Sequence, residues 1–139
     1  MKKLSFIFLF FLAISCSDSF EDPNKILPNV PVNVTVFLNN PQFINLQAVG
    51  GWAYAQGGIS GLIIYHNSSN GYIAFERAAP HLTPESCSKM TVENIIMVCA
   101  CDDSEFQIID GAPMTDGINY PVRQYRVTKT GDGLQITNF

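Results

Sequence analysis

Charge is scarce in this chain of 139 residues: Asp, Glu, Lys and Arg together make up 14%, against 47% hydrophobic residues. A disordered chain has the reverse balance, so the deficit excludes a solvated coil and implies a core to bury. Basic residues are the scarcer sign, eight against twelve acidic, and they form no cluster. That excludes nucleic acid as a partner, because phosphate binding needs grouped Lys and Arg. Long apolar runs are absent beyond Leu4 to Ile14, which is too short to span a bilayer. Also missing are a Gly-Xaa-Ser-Xaa-Gly elbow, a phosphate loop and a His-Glu-Xaa-Xaa-His motif. No self-sufficient hydrolase is expected, and the chain reads as a non-enzyme.

What is present at the N-terminus is an export signal. Met1-Lys2-Lys3 followed by the apolar run Leu4 to Leu12 reads as a charged region and a hydrophobic region of a secretory signal peptide over residues 1–15. About 124 residues then remain, enough for one domain of typical size, roughly 100–150 residues. Leu12-Ala13-Ile14-Ser15-Cys16 resembles the lipobox of bacterial lipoproteins, with Ala13 where Leu is usual. The resemblance implies that Cys16 is diacylated and becomes the mature N-terminus, so that the membrane is a partner through the lipid anchor. Two or more acyl chains hold a protein durably at a bilayer surface. Residues 16–29 form a lipidated acidic tether, since Ser17 to Asn24 is polar, acidic and broken by Pro23. Acidic residues placed just after the lipid cysteine resemble the surface-export signals of Bacteroidetes lipoproteins. The expected location is the bacterial cell envelope, at the outer membrane or the cell surface.

Strand signals dominate residues 30–139. Val30 to Leu38 alternates apolar and polar side chains with β-branched residues, as a half-buried strand should. Further runs are Phe43 to Leu46, Leu62 to Tyr65, Tyr72 to Phe75, Ile95 to Val98, Phe106 to Ile109, Val122 to Thr128 and Leu134 to Thr137. Asn70-Gly71 and Thr130-Gly131-Asp132-Gly133 supply turn signals between neighbouring runs. Eight or nine short strands separated by turn residues predict an all-β fold, a small antiparallel sandwich or barrel. The one helical expectation is a turn near Thr83 to Lys89. Trp52 and Tyr54, between two glycine pairs, read as core aromatics or as a stacking surface. His66, in a polar turn beside Asn67-Ser68-Ser69, has no expected role.

Two loops interrupt this pattern, and they carry a second resemblance. Cys99-Ala100-Cys101-Asp102-Asp103-Ser104-Glu105-Phe106, then Gly111, then Pro121-Val122-Arg123-Gln124-Tyr125-Arg126-Val127, resembles the second cluster-binding loop of a Rieske-type 2Fe-2S domain and its sequel. That family's pattern is Cys-Pro-Cys-His-Gly-Ser-x-Phe, a later Gly, and Pro-Leu-x-x-Tyr-x-Val. Ala79-Pro80-His81 resembles the first loop, Cys-Pro-His. The resemblance runs from about Phe43 to Thr137 and implies a small Rieske-type domain over residues 30–139 with two cluster-type loops.

Carried over position by position, it implies that the cluster ligands fall on Ala79, His81, Cys99 and Asp102. A Rieske centre takes two thiolates on one iron and two imidazoles on the other. Here one thiol and one imidazole are left, and a carboxylate oxygen at Asp102 is a poor donor to ferric sulfide. Asp103 also replaces the glycine that lets the loop approach the sulfides. No cofactor is therefore expected, with a 2Fe-2S cluster as the alternative. His81, Cys99 and Asp102 as a mononuclear metal site is a weaker possibility. The resemblance also implies a disulfide between the loops, Cys87 with Cys101, with Cys87 to Cys99 as the competing pairing. The third thiol then reads as a shielded remnant of the ligand set. Together these readings describe an envelope lipoprotein whose Rieske-like domain has lost its cluster. It would act as a binding or accessory module toward an unidentified envelope protein. The rival class is a ferredoxin-like electron carrier.

Overall fold

A computed structural model of the chain describes residues 26–69 and 71–139. The expected signal peptide, Cys16 with its expected lipid, most of the expected tether and Asn70 of the expected hairpin turn lie outside the described residues.

Among the described residues nine strands follow in order: β1 (Asn33–Phe37), β2 (Trp52–Ala55), β3 (Leu62–His66), β4 (Tyr72–Glu76), β5 (Thr91–Glu93), β6 (Ile96–Val98), β7 (Glu105–Gln107), β8 (Gln124–Thr130) and β9 (Gly133–Thr137). Six make a curled antiparallel sheet in the order β1-β9-β8-β4-β3-β2. The other three form a small sheet, β5-β6-β7. The fold is thus all-β and antiparallel, as the alternation predicts.

The side chains of β3 explain how the two sheets are joined. All five of its residues are buried. Successive strand residues point to opposite faces. Leu62 and Ile64 accordingly enter one core with Val36, Leu46, Tyr125, Leu134 and Ile136. Ile63 and Tyr65 enter a second core with Phe75, Met90, Met97, Phe106 and Ile108, beneath the small sheet. A strand covered on both faces reads as a continuous apolar run, which is what Leu-Ile-Ile-Tyr is. Neighbouring β4 divides in the same way, Ala74 to the first core and Phe75 to the second.

Several expectations need correction. Phe43 to Leu46 is no strand; it lies in a 3₁₀ helix, Pro41–Gln47, which buries only Phe43 and Leu46. Pro41 sits in the first turn, where its fixed φ suits a helix and its missing N–H costs nothing. The helical turn near Thr83 to Lys89 is not formed; the segment is turns and bends. There the Ser88 hydroxyl donates to Glu85 O at 3.0 Å and accepts from Glu85 N at 2.8 Å, local bonds that replace helical ones. Strands β2 and β5 were not legible as runs, being four and three residues long. His66 is no turn residue: it ends β3, is buried, and stacks on Tyr72 at 4.2 Å.

Candidate functional site

The two cluster-type loops leave the small sheet and the end of β4 side by side. The first, residues 77–90, is closed at its base by Met90 N to Arg77 O (2.7 Å), Ala79 N to Ser88 O (2.8 Å) and a bridge between Ala78 and Lys89. The second joins β6 to β7 and is tighter. Cys99 N donates to Ser104 O and Asp103 N to Cys99 O, each at 2.9 Å. This closure places Asp103 at φ +58°, in the left-handed region. Glycine enters that region at no steric cost, and Asp does so more easily than most residues. The loop backbone has therefore kept the turn at which the Rieske pattern carries glycine. Gly111, the later glycine of that pattern, has φ +76° and packs so closely that a Cβ would stand 2.9 Å from the Phe75 ring. It allows the chain after β7 to press onto the second core.

A disulfide joins the loops. Cys87 and Cys101 are bonded, with their Cα atoms 4.9 Å apart, and Cys99 is the free thiol among the described residues. The competing pairing, Cys87 to Cys99, is not the one formed. Cys99 is completely buried, and its Sγ approaches the Cys87 carbonyl at 3.8 Å. Burial pushes its thiol up, and the negative charge of Asp102 adds to this, against hydrogen bonds from the Cys101 backbone and Ser104. A thiol held protonated is a poor nucleophile and a poor metal ligand.

His81 and Asp102, one from each loop, meet directly. His81 Nε2 stands 2.7 Å from Asp102 Oδ2. Ser104, a participant the sequence did not single out, joins them: its N–H donates to Asp102 Oδ1 at 3.1 Å, and its hydroxyl lies 3.5 Å from the same His81 nitrogen. Burial would push the Asp102 carboxyl up, but the bonds from His81 and Ser104 outweigh it and hold the group at about 2. Asp102 is thus an anion seated on the imidazole. His81 Nδ1 is buried with no hydrogen-bond partner among the described residues, and the ring tilts against Phe106 at 5.8 Å.

These positions can be tested against the centre that the loops resemble. Ala79 is completely buried and presents a methyl group. The His81 nitrogen on the Asp102 side is engaged by a carboxylate. One thiol, one imidazole, one carboxylate and one methyl do not fit a centre requiring two thiolates and two imidazoles. Among the described residues no three His, Cys, Asp or Glu side chains, the His81, Cys99 and Asp102 set included, are grouped so as to hold a metal ion. The sequence places the loops correctly; what it does not reveal is that the ligand positions are joined to each other.

No protein-family profile matches the chain, and no curated protein matches it. Solved structures do. The ferredoxin of carbazole 1,9a-dioxygenase from Nocardioides aromaticivorans IC177 superposes with a TM-score of 0.52 at 16% identity, over 80% of this chain and 100% of that one. The cyanobacterial plasma membrane Rieske protein from Synechocystis PCC 6803 gives 0.53 at 16% identity, with the same two coverages. Identity this low speaks to architecture alone, and the strand order, the paired loops and these superpositions together establish that the domain has a Rieske-type fold.

Proposed function

We propose that this chain is a bacterial envelope lipoprotein whose Rieske-type domain has given up its cluster and serves as a non-enzymatic binding or accessory module. The reading is carried by the His81–Asp102 pair at 2.7 Å, which joins the two positions where the family pattern has imidazole ligands. Asp102 takes the place of the second imidazole, so the site keeps one ring, open at Nδ1, where the cluster needs two. The Cys87–Cys101 bridge ties the loops together whether or not iron is bound, so the domain needs no cluster to hold them. Cys16 supplies the lipid anchor, residues 17–29 the tether, and the envelope the setting in which a structural disulfide persists. The partner is an envelope protein or ligand reached from the membrane surface.

The test is iron and acid-labile sulfide content after expression with iron and a cluster-assembly system. Wild type is expected to hold neither in stoichiometric amount and to be colourless. The Ala79→Cys, Asp102→His variant, with Asp103→Gly added, restores two thiolates and two imidazoles. Asp103→Gly suits the backbone, since φ +58° is freely available to glycine. That variant is expected to gain iron, sulfide and a red-brown colour. Close to two irons and two sulfides per wild-type chain, the complement of a 2Fe-2S centre, would instead establish an electron carrier.

A further inference from the structure

We propose that the groove along the free edge of β2 binds an anionic oligosaccharide, one built from carboxylated sugar units. The inference goes beyond the role given to the loops, and none of the groove residues occupies one of the four ligand positions.

The groove begins with the topology. Among the described residues β2 is the last strand of the six-stranded sheet, and one of its edges pairs with no other strand of them. His66 N donates to Gly51 O at 2.9 Å, so the Gly51 carbonyl faces β3; by alternation Trp52 and Tyr54 turn their own N–H and C=O groups outward. Gln42 of the 3₁₀ helix already covers part of that edge, its Nε2 donating to Tyr54 O at 3.3 Å. An added peptide strand would find only a four-residue edge with one carbonyl taken, which argues against a peptide occupant.

Two adjoining concavities share Gln42 and Tyr54 as a common wall. The smaller, about 290 Å³, is lined by half-buried Trp52 with the amide side chains of Gln42 and Asn45. An indole offers an apolar surface to the C–H face of a sugar ring, and a carboxamide both donates and accepts, as each sugar hydroxyl does. The larger, about 420 Å³, is cationic: Arg77 and Lys89 line it with Gln56 and Ser60. The Arg77 guanidinium lies 3.7 Å above the Tyr54 ring, and its Nε donates to Met90 O at 3.0 Å. Tyr54 is fixed in turn, its hydroxyl accepting from Val92 N at 2.9 Å. Arg77 is thereby oriented in advance, and its two terminal nitrogens have no hydrogen-bond partner among the described residues. A planar fork of donors suits a carboxylate. Arg77 and Lys89 put two cations on this wall against the single carboxylate of Glu76, which lies buried behind the 57–61 turn, so an anion is favoured here although the chain as a whole carries −4.

Trp52 is the only tryptophan, so its emission reports on this groove. The experiment titrates the purified full-length protein with tetragalacturonate at low salt, with maltotetraose and hexaglutamate run in parallel. The expected result is a saturable change in Trp52 emission, weakened about tenfold in Arg77→Gln, in Lys89→Ala and in about 0.5 M salt, and at least about tenfold weaker with maltotetraose. Lys89 is exposed, so Lys89→Ala is expected to fold as wild type and to isolate the charge from stability. No saturable response to tetragalacturonate overturns the proposal, as does undiminished binding in Lys89→Ala. Hexaglutamate or maltotetraose binding as tightly as tetragalacturonate overturns it too, in favour of a peptide or a neutral glycan.

Discussion

His81 and Asp102 are 21 residues apart in the chain and 2.7 Å apart in space, nitrogen to carboxylate oxygen. The pair stands where the Rieske pattern puts two imidazoles of one iron site, so two positions suited to a metal are joined instead to each other. Fixed to Ser104 on one side and packed on Phe106 on the other, the pair holds the two loops at a set separation.

The pair makes stability depend on acid in a defined direction. Asp102 has a folded value of about 2 against an ordinary 3.8. A depressed carboxyl contributes stability that is complete above the unfolded value and is lost as pH falls through the folded one. Urea midpoints for wild type are thus expected to fall between about pH 4 and pH 2, and Asp102→Asn to lack that share of the fall. The Asp102 side chain is 38% exposed, so solvent screening keeps the difference below about 1 kcal/mol. Superimposable pH profiles would show that the contact contributes nothing.

Loss of the bridge acts on the unfolded chain. Cys87 and Cys101 are separated by 14 residues, and opening a loop of that size costs roughly 3 kcal/mol in the chain-entropy account. The Cys87→Ser, Cys101→Ser double variant is expected to unfold roughly 10 °C or more below wild type. Non-reducing peptide mapping should recover Cys87 linked to Cys101 in wild type and equally in Cys99→Ala. Linkage of Cys99 in any oxidised sample would contradict the pairing.

A second carboxylate, this one buried, is structural. Glu76, at the end of β4, is fully buried and accepts from Ile59 N (2.8 Å), Ser60 N (2.9 Å), Ala78 N (3.1 Å) and the Tyr125 hydroxyl (2.8 Å). Burial and the Glu76 charge both push the Tyr125 phenol up, so it stays a donor. Gly58, at φ +63°, passes so close to Glu76 Oε2 that a Cβ would collide with it. Glu76→Gln points an amide at groups that are already donors, and is expected to cost about 2–4 kcal/mol in chemical denaturation. Tyr125→Phe removes one bond of the four and should cost about 1–2 kcal/mol. Equal stability of Glu76→Gln and wild type would refute the cradle.

The proposed anchor rests on one thiol. Cys16→Ser is expected to release the protein from the membrane fraction or leave it unprocessed, with loss of lipid labelling. Unchanged membrane association and labelling in that variant would remove the lipoprotein assignment.

By itself the sequence determined the antiparallel β class, most strands of five or more residues, and the two cluster-type loops. These are local matters: a period of two along Asn33–Phe37 or Gly133–Thr137 is written in consecutive residues, and Cys99 to Phe106 is one contiguous motif. It also narrowed the disulfide to two pairings. Choosing between them required the approach of Cys87 to Cys101 across the loops. The same holds for His81 with Asp102, for Glu76 under the 57–61 turn, and for Trp52 at a sheet edge. His66 shows the limit most plainly, since its polar neighbours Asn67 to Ser69 read as a turn and only the stacking of β4 beside β3 buries it against Tyr72. Each of these depends on how a curled sheet closes over residues 6 to 50 positions apart, and that closure is fixed by the packing of both cores together, which no short window of the chain contains.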